Sequence, residues 1–418
     1  MKISLLLPFL VAAFGLILLI RLGFFFVLHP IRTFREMLSS MKERQTRRSF
    51  FLALAGTLGV GNIFGVSAGI MIGGAGSLFW LFVSSFFSMI IKYAETMLVF
   101  SLPRGSVGMS SAIFSAFPGF GRFFSSVYAG LTILLALFMG SAMQASAIVD
   151  VAGSASKNYA FISLIILFVA FLPCLLGGAK KIEGLTEILI PVTTIVYILM
   201  CIFIILMNFE KMPGVISEIF SSAFSAEGAF GGISAIAIKE GFARGILSNE
   251  AGVGTSALAH ARSRGRSPHI AGLFGILEVF FDTTLLCMLT GFSILVSLPD
   301  LSIYKTPMSL VAAAFNSSLG DFSVYLLHFC IFAFAYSTII CWYFYGTQCA
   351  DAYFPRVKSV YVFAFLMFLF CSVFFSSTIL LFVTDSIIFV MAILTLSTIA
   401  KKLDCITHLS KQGRAQNK

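Results

Sequence analysis

The stretch Gly56-Thr57-Leu58-Gly59-Val60-Gly61-Asn62 interrupts an apolar run that begins near Phe50 and continues past Ile72. Each glycine inside a helix costs about 1 kcal/mol relative to alanine, so three of them do not serve helix propensity. If the run crosses a membrane, irregular backbone is tolerated within it only where it is buried in protein or lines a cavity. The stretch therefore predicts an unwound segment that offers backbone N–H and C=O groups to a small ligand.

A second stretch in the other half of the chain has the same character. It reads Ser248-Asn249-Glu250-Ala251-Gly252-Val253-Gly254-Thr255 and repeats the Gly-Val-Gly triplet. Glycine-interrupted apolar segments at corresponding positions of two halves are the best sequence pointer to the substrate site of an inverted-repeat transporter.

The composition is that of an integral membrane protein. Of 418 residues, 59% are hydrophobic and only 11% are charged, whereas soluble domains are about 25% charged. The apolar runs are long enough, at about 20 residues, to cross a bilayer as helices, and a β-barrel would show alternating segments of about 10 residues. The net charge of +10 is attributed to cytoplasmic anchors in contact with the bilayer, and no nucleic-acid partner is expected.

These runs predict an all-α protein with about eleven transmembrane helices. Residues 1–49 form an extra first helix and an amphipathic cytoplasmic helix, and 401–418 form a basic cytoplasmic tail. Between them, 50–208 and 209–400 form two repeats of opposite orientation, each opening with a broken helix, and the second carries the larger outer loops. The basic residues place the N-terminus outside and the C-terminus in the cytoplasm of a plasma (inner) membrane protein.

Charged residues inside the predicted helices suggest functional positions. Glu278 and Asp282 lie four residues apart on one face, and intramembrane carboxylates are functional hypotheses by default. Their role stays open, since no cation lies nearby in sequence. Lys92 and Glu95, about one helical turn apart, are expected to form a local ion pair near the interface.

Two other groups of charges have simpler interpretations. Lys239 and Arg244 are expected to reach the outer interface or to pair with Glu240. His260 and His269 flank the arginines between positions 262 and 266 and are expected to be solvated.

Two other classes of protein are weighed against a transporter. A channel needs a continuous polar lining, and this requirement does not explain two matched helix breaks. An intramembrane enzyme needs a catalytic set, and the G-x-S-x-G match at Gly65–Gly69 requires a strand-to-helix turn that is implausible here. Glycines at every fourth position from 61 to 73 are better explained as a helix-packing ridge. The eight cysteines show neither disulfide nor metal spacing. The five histidines show no H-E-x-x-H spacing and no Walker A loop is present, so no enzyme is expected.

Several motifs resemble the alanine or glycine:cation symporters, the sodium:alanine symporter family. Residues 53–63, Ala-Leu-Ala-Gly-Thr-Leu-Gly-Val-Gly-Asn-Ile, look like the second-helix signature of that family, and 244–254, Arg-Gly-Ile-Leu-Ser-Asn-Glu-Ala-Gly-Val-Gly, match another. Weaker matches follow in the same order along the chain: Gly140 with Gln144-Ala145, Gly178 with Lys180, and 332–338 leading to Trp342 and Tyr345-Gly346. The matches span most of the chain, and the two glycine motifs together are specific.

The resemblance implies a LeuT-like fold of five plus five helices behind one extra helix, and sodium-coupled uptake of alanine or glycine. By position it implies a substrate site lined by Thr57, Gly59, Gly61, Asn62, Gln144, Leu247, Ser248, Asn249 and Trp342. It also implies a sodium site, with Na⁺ as the coupling ion, formed by the backbone near Gly56 and Leu58 together with Ser337 and Thr338.

A zwitterionic substrate explains why helix breaks would suit such a site. Half-helix N-termini attract its carboxylate, while freed carbonyls receive its ammonium group and the sodium ion. Each polar residue also has a structural alternative. Ser337 and Thr338 could bond to their own helix, Gln144 could bond between helices, and Trp342 could belong to the aromatic belt.

The chain departs from the family pattern at positions that bear on substrate choice. Ser146 stands where asparagine is usual, and Leu247 stands where phenylalanine is usual. The loop 102–120 keeps only Gly108-Met109 of a longer family run. Alanine, glycine, serine and D-enantiomers stay open as substrates, as do sodium against proton coupling and the oligomeric state, for which a monomer is the working expectation.

Overall fold

Helices make up all the regular structure in the part of the chain that the computed structural model describes, namely 3–103, 105–153, 157–224, 233–262, 267–298, 300–375 and 377–416. Arg264 and Arg266 of the predicted basic cluster lie outside these residues. The chain begins with an apolar helix and a short turn of helix, followed by the predicted amphipathic helix: α1 (Ile3–Leu22), α2 (Phe25–Leu28) and α3 (Pro30–Ser40).

The predicted first repeat contains a broken helix followed by longer ones. Its helices are α4 (Arg44–Thr57), α5 (Val66–Gly73), α6 (Gly76–Phe100), α7 (Gly108–Ala116), α8 (Gly121–Leu135), α9 (Gln144–Gly153) and α10 (Lys157–Met207). The 51 residues of α10 would extend about 77 Å as one straight helix, more than twice a bilayer core. Non-helical backbone at Gly178 (φ 57°, ψ −158°) divides it into two helical parts.

The predicted second repeat again opens with a broken helix and also carries short helices in its predicted outer loops. Its helices are α11 (Met212–Ala223), α12 (Ile233–Asn249), α13 (Ala257–His260), α14 (Pro268–Val279), α15 (Met288–Ser297), α16 (Pro307–Leu319), α17 (Asp321–Tyr353), α18 (Lys358–Cys371) and α19 (Ser377–Lys401). The predicted polar tail is itself helical, as α20 (Leu403–Gln416).

Six helices in the described residues are long and apolar enough to cross a membrane, and the broken α4–α5 pair makes seven. The six are Gly76–Phe100, Gly121–Val151, Phe161–Met207, Pro268–Ser297, Asp321–Tyr353 and Ile379–Lys401. The protein is therefore a multi-pass membrane protein, while the count of eleven and the inverted repeat stay predictions.

Both predicted breaks are present. After Thr57 the backbone leaves helical geometry at Leu58 (φ −72°, ψ 77°), and a π-helical segment, Gly61–Gly65, leads into α5. The two parts of this helix are bent by 46°. At the second break, α12 ends at Asn249, and Glu250 follows in a left-handed conformation (φ 54°). Such a conformation is rare for residues other than glycine, so the surrounding structure must hold it in place.

The predicted glycine ridge packs against α12. A Cβ built on Gly69 would lie 3.2 Å from Arg244 Cγ, and one on Gly73 would lie 3.2 Å from Ala237 Cα. Ser67, the serine of the G-x-S-x-G match, donates a hydrogen bond to Ile63 O at 2.9 Å within its own helix. The packing interpretation of this motif is therefore confirmed.

Candidate binding site at the two helix breaks

Asp282 joins the two breaks. Asn62 Nδ2, from the first break, donates to Asp282 Oδ1 at 2.5 Å and to Asp282 O at 3.1 Å. Ser248 Oγ, at the second break, donates to Asp282 Oδ2 at 2.6 Å, and Thr283 Oγ1 donates to the same oxygen at 2.7 Å. Asp282 lies in a π-helical segment, Phe280–Cys287, between α14 and α15, and such wide turns are frequent at functional sites. The carboxylate whose role the sequence left open thus connects the halves of the chain.

The end of α12 is held by a buried lysine. Lys92 Nζ donates to Asn249 O at 2.8 Å and lies 3.4 Å from Glu278 Oε1, and both charged side chains are 0% exposed. A cation beside the last carbonyls of a helix is favourable because it opposes the negative end of the helix dipole. The prediction of a Lys92–Glu95 pair near the interface is wrong: α6 packs against α12 and α14, which brings Glu278 to the lysine.

Two histidines are buried, contrary to the prediction that they are solvated. His260 Nε2 lies 3.0 Å from Glu278 Oε2, and His269 Nδ1 lies 2.6 Å from Tyr93 OH. Both residues are at most 3% exposed. The basic residues near them in sequence suggested water, but packing against α6 and α14 provides polar partners inside the protein.

Of the two alternatives predicted for Lys239 and Arg244, which precede the end of α12, pairing with Glu240 is the one that the structure shows. Arg244 Nη2 lies 2.9 Å from Glu240 Oε2, and Lys239 Nζ lies 3.1 Å from Glu240 Oε1. The carboxylate of Glu240 therefore serves both cations. This arrangement lets two basic side chains lie on α12 without an unpaired buried charge.

The carbonyls at the end of α4 receive side chains from α17. Thr338 Oγ1 lies 3.0 Å from Ala55 O and 3.2 Å from Leu58 O, while Trp342 Nε1 donates to Gly56 O at 3.2 Å. Trp342 is 0% exposed, which excludes the aromatic-belt interpretation. Hydroxyl and carbonyl oxygens therefore meet where the sequence predicts a sodium site, and the Ala55 carbonyl, which the sequence did not suggest, lies among them.

The Ser337 hydroxyl bonds to its own helix, which is one of the two possibilities that the sequence left open. Its Oγ donates to Phe334 O at 2.8 Å, within α17. Thr338 instead reaches across to α4. The two neighbouring hydroxyls therefore differ in their hydrogen bonds: that of Ser337 lies within one helix, and those of Thr338 join two helices.

The unwound segment at 58–60 is filled by polar side chains. Val60 N donates to Gln144 Oε1 at 3.1 Å, and Gly59 N donates to Asn62 Oδ1 at 3.3 Å. The sequence predicted free backbone groups here, but buried N–H groups are nearly always paired because an unpaired one is costly. A ligand that binds these groups must replace side chains that already bind them.

Gly59 and Gly61 differ in how much space surrounds them. A Cβ on Gly59 would lie 2.9 Å from Thr338 Oγ1 and 3.0 Å from Gln144 Oε1, so a side chain has no room there. A Cβ on Gly61 would have no neighbouring heavy atom within 4 Å. The first glycine permits close packing around the break, and the second borders open space.

The remaining predicted residues lie close to the breaks. Thr57 donates from Oγ1 to Leu54 O at 3.3 Å, and Leu247, beside Ser248 at the end of α12, is 5% exposed. Ser146 lines a cavity of about 20 Å³ together with Val60 and Asp150. The two departures from the family pattern thus lie next to one break each.

Two interrupted helices whose buried polar groups meet through one carboxylate, in a chain with several apolar helices long enough to cross a bilayer, are typical of a membrane transporter. A solved manganese transporter of Eremococcus coleocola has the same general fold, with a TM-score of 0.52 at 14% identity over 85% of this chain and 77% of that one. Its likeness concerns the fold alone.

Sequence comparison is more specific. The sodium/alanine symporter AgcS of Methanococcus maripaludis is 30% identical over 356 residues, covering 81% of this chain and 78% of the relative. The uncharacterized transporter YflA of Bacillus subtilis is 30% identical over 375 residues, covering 84% and 79%. The model of the sodium:alanine symporter family matches residues 1–418, so the chain belongs to that family.

Proposed function

We propose that this protein imports a small neutral amino acid, alanine or glycine, together with sodium. The observation that carries the proposal is the meeting of Asn62 and Ser248, one from each broken helix, on the two oxygens of Asp282. A change in the position of either half-helix must alter this junction. Binding at the junction can therefore be coupled to movement of one half against the other.

The proposed sodium site lies between α4 and α17. Sodium prefers oxygen ligands, and Thr338 Oγ1 already lies 3.0 Å from Ala55 O and 3.2 Å from Leu58 O. The carbonyl of Gly56, next to Ala55 in the chain, completes the ligand set that we propose. The Ser337 hydroxyl, which the resemblance also implied, donates to Phe334 O within α17 and is not part of this set. A sodium ion here would tie the broken end of α4 to α17.

The proposed amino-acid site lies on the other side of the first break. The helix that restarts at Gly61 presents the positive end of its dipole, which favours a substrate carboxylate. The carboxylate of Asp282 would receive the ammonium group. Open space at Gly61 and the buried Trp342 leave room for a small side chain, which supports alanine or glycine.

Transport would proceed by alternating access, with one group of helices rocking against the other around the site. The positive-inside rule supports an inner-membrane orientation with the N-terminus outside and the C-terminus in the cytoplasm. An uptake assay can test the driving ion and the substrate independently of each other.

The test is uptake of labelled alanine and labelled glycine into proteoliposomes containing the full chain. We expect uptake above the external concentration when an inward sodium gradient is imposed, and only equilibration without it. Accumulation driven equally by a proton gradient in sodium-free buffer would overturn sodium coupling. Electrical currents without accumulation of either amino acid would favour a channel and overturn symport.

A further inference from the structure

A basic pocket lies between the amphipathic helix α3 and the C-terminal helix α20, away from the helix breaks. Its volume is about 330 Å³, and the charged and polar side chains that define it are His29, Arg32, Glu36, His269, Lys411 and Arg414. Three of these are cationic side chains and one is a carboxylate, which pairs with Arg32 Nε at 3.0 Å, so the positive charges of Lys411 and Arg414 are in excess. The pocket therefore favours an anion.

The walls of this pocket are fixed by packing. Arg414 Nη1 donates to Leu22 O at 3.1 Å, and its guanidinium lies 5.1 Å from the centre of the Phe25 ring. Gly413 is so close to α14 that a built Cβ would lie 2.2 Å from His269 Cβ. The segment predicted as a polar tail is thus a docked helix that holds cations over the pocket.

An apolar groove adjoins the basic pocket on the other side of α3. Its volume is about 550 Å³, and the side chains that define it include Val27, Ile31, Phe34, Phe82, Phe86 and Phe280. Thr33 lines both the groove and the pocket. Ile31 is 82% exposed and Phe34 is 44% exposed, so the groove is open towards the apolar surroundings of the protein.

We propose that the basic pocket and the apolar groove together bind one anionic phospholipid, with its phosphate in the pocket and an acyl chain in the groove. A phospholipid has the same two-part chemistry: an anionic group joined directly to hydrocarbon. Basic residues that flank membrane helices attract anionic lipid headgroups, and an amphipathic helix lies at the depth where headgroup and chain meet. The lipid would brace α3 and α20 against α14, the helix that leads to Asp282.

The test measures lipid binding to the purified full chain by native mass spectrometry, with phosphatidylglycerol and phosphatidylcholine titrated separately. We expect phosphatidylglycerol to bind more tightly. Each basic residue near a membrane surface contributes about fivefold in affinity for anionic lipid, so Lys411→Gln should weaken phosphatidylglycerol binding about fivefold and Lys411→Glu about 25-fold. Lys411 is exposed, so neither change should disturb folding.

Two further variants separate the pocket from the groove and from general charge. Arg356→Glu changes an exposed arginine in the short 3-10 helix Pro355–Val357, between α17 and α18, and should leave binding unchanged. Ile31→Ser should weaken phosphatidylglycerol binding while leaving weak binding of glycerol 3-phosphate, the soluble headgroup fragment, unchanged.

Three results would overturn the proposal. They are equal affinity for the two lipids, equal effects of Lys411→Glu and Arg356→Glu, and displacement of phosphatidylglycerol by an equal concentration of glycerol 3-phosphate. The last would mean that the pocket takes a soluble anion. None of these readouts depends on transport, so failure here leaves the proposed symport untouched.

Discussion

Asn62 Nδ2 lies 2.5 Å from Asp282 Oδ1, although 220 residues separate them in the chain. This contact links the first broken helix to the π-helical segment between α14 and α15. The same carboxylate receives Ser248 from the second broken helix at 2.6 Å. One buried side chain thus contacts both half-helices.

The Asp282→Asn variant tests this junction. An amide has one acceptor oxygen where the carboxylate has two, so it cannot accept from Asn62 and from Ser248 in the same way. We expect alanine uptake to fall at least tenfold while the amount of folded protein in the membrane is retained. The measurement is initial uptake in proteoliposomes matched for protein content.

The neighbouring Thr284→Ala variant is the control for that change. Thr284 Oγ1 donates to Ser85 Oγ at 3.0 Å, away from both breaks. It should transport normally. Equal loss in both variants would show that the segment is merely sensitive to substitution, and Asp282 would lose its special role.

Thr338→Ala tests the proposed sodium site. The change removes the hydroxyl that lies between Ala55 O and Leu58 O, so half-maximal uptake should require about tenfold more sodium. Ser337→Ala is the matched control, because its hydroxyl bonds within α17, and it should change the sodium requirement less than twofold. Sodium titrations that shift equally in the two variants would contradict the assignment to Thr338.

Alanine substitutions at the two glycines of the first break should have different consequences. Gly61→Ala adds a methyl group to open space, so the protein should fold normally but discriminate more strongly against the larger of two substrates. Gly59→Ala places a Cβ 2.9 Å from Thr338 Oγ1, so it should reduce the thermal stability or the folded yield. Competition of glycine and alanine for uptake measures the first effect, and thermal unfolding measures the second. A folding defect in Gly61→Ala with none in Gly59→Ala would contradict both assignments.

Lys92→Met should destabilise the fold, because it removes the lysine partner of the buried Glu278 carboxylate and leaves that carboxylate with the His260 ring. Removing one partner of a buried ion pair typically costs about 3–5 kcal/mol. Adding Glu278→Gln to this variant should recover more than half of the lost stability, since no unpaired charge remains. Thermal unfolding of both single variants and the double variant measures this coupling, and strictly additive losses would contradict it.

Recovery of stability in the double variant need not restore transport. Asn249 O would still lack the donor that Lys92 Nζ provides at 2.8 Å. We therefore expect the double variant to fold but to transport more slowly than the native chain.

The sequence predicted both helix breaks, since glycine clusters within apolar runs act locally on helix stability. It also indicated the membrane class and, through the family motifs, positions around the breaks such as Asn62 and Ser248. The sequence also predicted an ion pair between Lys92 and Glu95 and solvated side chains for His260 and His269. Both predictions were wrong, because a sequence shows only which residues are neighbours along the chain.

The amino-acid sequence by itself therefore determined where the membrane helices are interrupted, because the interruption depends on residues within one or two turns. Only the tertiary structure decided which groups occupy the interruptions. Lys92 reaches Asn249 across 157 residues, and Asp282 reaches Asn62 across 220. Contacts of that range follow from how helices pack against one another, which no local spacing encodes.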